Sequence, residues 1–263
     1  MTPAAGTRAH DERRDDIATI ISIGLLAYVS ADIAHHGLGH GGACLALGGH
    51  VVRLSSIFVN CTVRGTAVDL AGPFANLAVG LAALAAAILA PTRAAPATRL
   101  FLALTAGFNL LWFTLQLSFS VASRTDDFAW AVTELQLSAA ARYALIGFGA
   151  LGYLASVRAL AVAVADFADP RARARRIMFT AWLTGGAIAC VTALFEQHPG
   201  AAILSHAAPQ SFLLSIGLLV VPAVAAPRPF ARAPRVGFSV PWIVAGLATA
   251  VASVGFLGPG FSI

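Results

Sequence analysis

Lysine is absent from this chain and charge of either sign is scarce. All 17 basic residues are arginine, 12 residues are acidic, and charged residues make up only 11% of the 263. Average soluble proteins carry about 25%. With 58% hydrophobic residues and a mean hydropathy of +0.80, the expectation is a membrane protein. The formal charge of +5 does not point to nucleic acid, because the arginines gather between apolar runs, where they orient helices. Cysteine is also rare. Cys44, Cys61 and Cys190 have no paired spacing, so neither a disulfide framework nor a Cys-x-x-Cys metal site is expected. No internal repeat and no separate soluble domain is visible.

What is present is apolar sequence in long runs. A bilayer core about 30 Å thick takes roughly 20 apolar residues per helix. Such runs lie near 17–34 (continuing through a glycine- and histidine-rich stretch to about 48), 67–90, 98–122, 139–166, 177–196, 211–226 and 239–257. The run near 211–226 is short for a crossing. The fold class expected is all-α, polytopic and transmembrane, with six or seven spans. "VVRLSSIFVNCTVRG", near 51–64, is too short and polar for a span and reads as a β-hairpin-like segment. Residues 1–16 mix both charges and read as a polar tail, not the basic start of a cleaved signal. "DPRARARR" and "PRPFARAPR" are rich in arginine, whereas "QHPGAAILSHAAPQ" and "GPGFSI" have none. Placing the arginine-rich connections in the cytoplasm puts the N-terminus inside and the C-terminus outside.

One run ends unlike the others. "ADIAHHGLGH", residues 31–40, carries one aspartate and three histidines, and ionisable groups within a span are costly unless paired, hydrated or metal-bound. Asp32, His36 and His40 are spaced i, i+4 and i+8, within an arc of about 80° on an α-helix. Two histidines four apart offer two imidazoles to Zn²⁺, with a third ligand from elsewhere. The bland alternative is a set of buried polar groups satisfied by neighbouring helices. Asp32 is either a ligand or the acceptor of a histidine N–H. Asp69 reads as a capping residue, and His50, His198 and His206 as loop histidines. Arg158 reads as a snorkelling residue or a partner of Asp166.

"HHGLGHGGACLALGGHVV" resembles the His-Glu-x-x-His helix of the site-2 protease family of intramembrane zinc metalloproteases, with His36, Leu38, Gly39 and His40 on the pattern and Gly37 at the glutamate position. "DLAGPFANLAVGLAAL" is similar to that family's Gly-Pro-x-x-Asn stretch, with Gly72, Pro73 and Asn76 in register, and the strand-like segment lies between the two. The third element, an Asp after an Asn-Pro stretch, is matched loosely: Asn109 lies in the following span without the proline, and Asp126 and Asp127 lie at its far end. The match covers residues 30–85. It implies a three-span core over residues 17–130 with further spans over 131–263, and Zn²⁺ held by His36, His40 and Asp126 or Asp127. Asn76 and Asn109 would stand near metal or substrate.

If the site is active, the resemblance implies a zinc metallopeptidase acting on a transmembrane protein substrate. Glycine cannot serve as the general base, so a pseudoprotease is an equal reading. His35 is the available substitute base. A shifted register, with His35 and His40 as ligands and His36 in the glutamate's place, would set the ligands about 140° apart on a regular helix. Four glycines among residues 37–42 disfavour such a helix. The partners expected are the lipid bilayer and no nucleic acid. The arginine-only, Ala- and Gly-rich composition points to a GC-rich bacterium, and so to its cytoplasmic (inner) membrane. A reading from another class is a proton or metal-ion transporter or channel in which Asp32, His35, His36 and His40 line the path. A third is a structural membrane protein whose polar residues only pack helices.

Overall fold

The computed structural model describes residues 14–91, 94–227 and 234–263. Most of the polar tail and part of "PRPFARAPR" lie outside the described residues. Among the described residues, seven helices are long and apolar enough to cross a membrane: α1 Ile17–Ala46, α2 Thr66–Leu89, α3 Pro96–Ser123, α5 Ala139–Ala163, α6 Arg171–Ala193, α7 Pro199–Val224 and α8 Val240–Leu257. Between α3 and α5 lies a short helix, α4, Asp127–Glu134. Two strands, β1 Val51–Leu54 and β2 Val59–Cys61, pair antiparallel between α1 and α2. The chain is an all-α polytopic membrane protein with a short hairpin.

The starts of the helices follow local chemistry. The Asp16 side chain accepts the Thr19 N–H and caps α1. α3 opens on Pro96, whose missing N–H would have had no partner in a first turn. Ser138 caps α5. In lipid every backbone group must be satisfied internally, which is why the spans are helical. α3 sits at the centre, packed against α1, α2 and α5, with Leu100, Leu104, Phe108, Leu111 and Trp112 buried. Small residues let helices approach: a Cβ on Gly24 of α1 would stand 2.8 Å from the Ala181 Cα of α6.

Two spans differ from their expected bounds. α6 begins at Arg171, its first turns carrying arginines that a hydropathy reading assigns to a loop; Arg173 is buried against Asp15. α7 begins at Pro199 and runs 26 residues, so the span expected to be short is full length. Its first half holds two π-helical stretches, Ile203–Ala207 and Pro209–Leu213, the second of which opens on Pro209.

The cysteine expectation is corrected: Cys44 and Cys61 form a disulfide. The pair is invisible as a spacing motif because it depends on the hairpin folding back over the end of α1. Gly49 N–H bonds to the Cys44 carbonyl at the turn between them. The C-terminal residues bond to the other edge of β1, with Val51 and Ile263, and Leu54 and Phe261, each exchanging backbone hydrogen bonds. Hairpin, disulfide and C-terminus therefore share one end of the bundle. At the other end, Asp15 joins Arg173 through two hydrogen bonds of 2.6 and 2.8 Å and accepts the Val236 N–H. Arg99 and Asp166 form a buried ion pair there as well.

Candidate metal centre

From Ile33 to Gly41 α1 is a π-helix, in which hydrogen bonds run between residues five apart. The glycines that weaken an α-helix there permit the wider turn. Residue i+5 then lies over residue i, so His35 and His40 come onto one face. The angular objection to that pair, about 140° of separation, belongs to the α-helix and does not apply. His36 turns instead toward Asp32 and donates from Nδ1 to its Oδ1 at 3.0 Å.

Asp127 completes the group from the start of α4. His35 Nε2 lies 3.1 Å from Asp127 Oδ2 and 3.2 Å from His40 Nε2, and His40 Nε2 lies 3.4 Å from the same oxygen. The three donor atoms form a nearly equilateral triangle. An ion about 2.0–2.1 Å from each donor at tetrahedral angles sets donors about 3.3 Å apart. The triangle fits that figure on all three edges, and all three residues are buried. Among the described residues this is the one group of His, Cys, Asp or Glu with such geometry. It could hold a metal ion.

The neighbours hold the donors in place. His40 Nδ1 donates to the Val68 carbonyl at 2.7 Å, which fixes the ring with Nε2 facing the group. The His35 ring stacks on Trp112, with centroids 4.8 Å apart and planes 16° from parallel. Gln116, one turn further along α3, donates from Nε2 to Asp126 Oδ2 and to Asp127 Oδ2, each at 2.9 Å. The turn between α3 and α4 adopts positive φ at Arg124 (61°) and Asp126 (74°). Such conformations are costly for these side chains and gather at functional sites. Burial opposes the Asp127 charge, but hydrogen bonds from His35 and His40 hold its carboxyl well below the usual range. Burial, with Asp127 alongside, pushes the Asp126 carboxyl up to about 6.

The second sequence motif packs directly on the first. A Cβ on Gly72 would lie 2.3 Å from His40 Nε2, and one on Gly39 would lie 2.4 Å from the Gly72 Cα. α1 and α2 touch backbone to backbone here because neither position has a side chain.

A cavity of about 1140 Å³ opens beside the group. His35, His36, His40, Asp126 and Asp127 line it, with walls from the hairpin, α4 and the first half of α7. The size suits a ligand site.

Of the residues singled out in the sequence, His40 and Asp127 meet at the group. His36 lines the cavity beside it, bonded to Asp32, and Asp126 lies next to it on Gln116. Gly37 offers no ligand. Asn76 and Asn109 are buried away from the cavity wall. Asn109 donates to the Thr105 carbonyl, and neither side-chain polar atom of Asn76 has a hydrogen-bond partner among the described residues. Sequence reasoning passed over Gln116, Trp112 and the Val68 carbonyl, which carry no signal outside the folded chain. It weighed His35 as a substitute base and, in a shifted register that α-helical geometry disfavoured, as a ligand with His40. No family model, no curated protein and no solved structure matches this chain.

Proposed function

We propose that this chain is a metal-dependent hydrolase of the membrane, similar to the site-2 protease family, with zinc held by His35, His40 and Asp127. The observation that carries the reading is the triangle of two imidazole nitrogens and one carboxylate oxygen, buried at the wall of a large cavity. Two nitrogens and an oxygen suit zinc. Three protein donors leave a fourth position for water or substrate, as catalytic rather than structural zinc sites do. When bound, the ion would polarise a carbonyl and lower the pKa of water.

The chain's own residues supply the rest. His35 and His40 bind as a pair five residues apart, so the position after the first ligand is His36 and not Gly37. Asp32 fixes the His36 ring from one side, and His36, which lines the cavity, would take up a proton in the role that the family gives to glutamate, a role worth about 10² to 10⁴ in rate. The substrate class that follows is a peptide bond in a membrane-spanning protein, and the location is the inner membrane of a bacterium.

The test is metal content per chain in detergent-purified protein, measured in the wild type and in His35→Ala, His36→Ala and His40→Ala. The expected result is about one zinc in the wild type and in His36→Ala, and none in the other two. Cleavage of a membrane-spanning reporter should then be lost in His36→Ala despite retained zinc. A wild type without zinc would sink the reading, as would loss of zinc in His36→Ala with retention in His35→Ala.

A further inference from the structure

We infer that the metal group and its cavity open to the oxidising, non-cytoplasmic side of the membrane, so that whatever ligand or substrate segment reaches His35, His40 and Asp127 arrives from that side. The inference takes from the reading above the use of the cavity and the bacterial inner membrane; its direction rests on two independent observations.

The first is the disulfide. Cys44 lies four residues beyond His40, on the last turn of α1, and is joined to Cys61 of β2. Such bridges persist where thiols are not kept reduced, which for a bacterial membrane protein is the outer face. The second is arginine. At the opposite end of the bundle the first turns of α6 carry Arg171, Arg173, Arg175 and Arg176, and Arg14, Arg99 and Arg235 lie near them in the chain or the fold. The disulfide end has Arg53, which is paired with Glu196, and Arg64, Arg124 and Arg142. An excess of arginine marks the cytoplasmic side. Charge and redox chemistry, which act on different residues at opposite ends, give the same orientation.

The cavity follows the disulfide end. Its walls come from the hairpin and the segment after it, from residues 119–134 and from residues 205–214. Among the described residues, none comes from the connections at the arginine end. His40 lies six residues before the end of α1, roughly 9 Å of helix, so the group sits in the outer third of a core about 30 Å thick. A membrane-spanning substrate would be engaged near the outer end of its helix.

The experiment uses the full chain in sealed cells with a membrane-impermeant maleimide that shifts gel mobility. Cys190 is replaced by Ala, Cys44 and Cys61 are kept, and one reporter at a time is added: Arg64→Cys or Gln197→Cys at the cavity end, Arg175→Cys at the other. All three positions are exposed. The expected result is labelling of the first two in intact cells and of Arg175→Cys only after permeabilisation. In the wild type, Cys44 and Cys61 should be alkylated only after reduction. The reverse labelling pattern, labelling of all three before permeabilisation, or free Cys44 and Cys61 in cells would each overturn the inference. None of these outcomes changes the zinc content of purified protein, so failure here is separable from failure of the hydrolase reading.

Discussion

His40 fills the space that a side chain at position 72 would take. With the Cβ of Gly72→Ala 2.3 Å from Nε2, the imidazole must move or α1 and α2 must part, and overpacking of this kind costs about 1–3 kcal/mol. On the proposed zinc reading, affinity for the ion should fall about 10- to 100-fold, the range for disturbed ligand orientation, while helical circular dichroism stays that of the wild type. Gly147→Ala, with nothing within 4 Å of its Cβ, should leave affinity unchanged. Equal affinities for the two variants would mean that the Gly72 contact does not position His40. At this scale the sequence revealed the neighbourhood but not the pairing. Three histidines and two motifs marked the place, and an α-helical period of 3.6 chose His36 with His40. The π-helical turn pairs His35 with His40, and nothing in a single sequence distinguishes a glycine-rich π segment from a frayed α-helix.

The elements were more legible than their ends. Long apolar runs mark spans because lipid admits few alternatives to a helix, and the hairpin near 51–64 betrayed itself by its Val, Ile and Thr content. α7 was underestimated because Pro199, His206 and Pro209 read as loop residues, although a proline opens a helix readily. The disulfide could not be read because it links two elements through the fold. It closes a loop with a sequence separation of 17, for which chain-entropy arguments give about 3 kcal/mol. Cys44→Ser with Cys61→Ser should therefore unfold at a lower temperature than the wild type in detergent. Reductant should lower the wild-type midpoint toward that of the double variant and leave the variant where it is. A wild-type midpoint indifferent to reductant would show that the hairpin is anchored by its backbone bonds to the C-terminus instead.

Across the whole molecule, the two ends of the bundle are fastened by different chemistry, covalent and β-paired at one and electrostatic at the other. Asp15 stands just before α1, with its side chain buried; Arg173 reaches it from α6, and the Val236 N–H reaches it from the segment before α8. One carboxylate thus ties three spans. Burial opposes its charge, but the hydrogen bonds from Arg173 and Val236 and the charges of Arg173 and Arg235 outweigh burial and hold its pKa below the ordinary value. Because the folded-state value is the lower one, the stabilisation is present above the unfolded value near pH 4 and is lost as pH falls through the folded value. Asp15→Asn should therefore unfold at a lower temperature than the wild type at pH 7, and the gap should close as pH falls below about 4. The measurement is a series of thermal unfolding curves in detergent for both proteins between pH 7 and pH 3. A gap that keeps its size to pH 3 would mean that Asp15 acts there through packing, and that the charge does not fasten this end of the bundle.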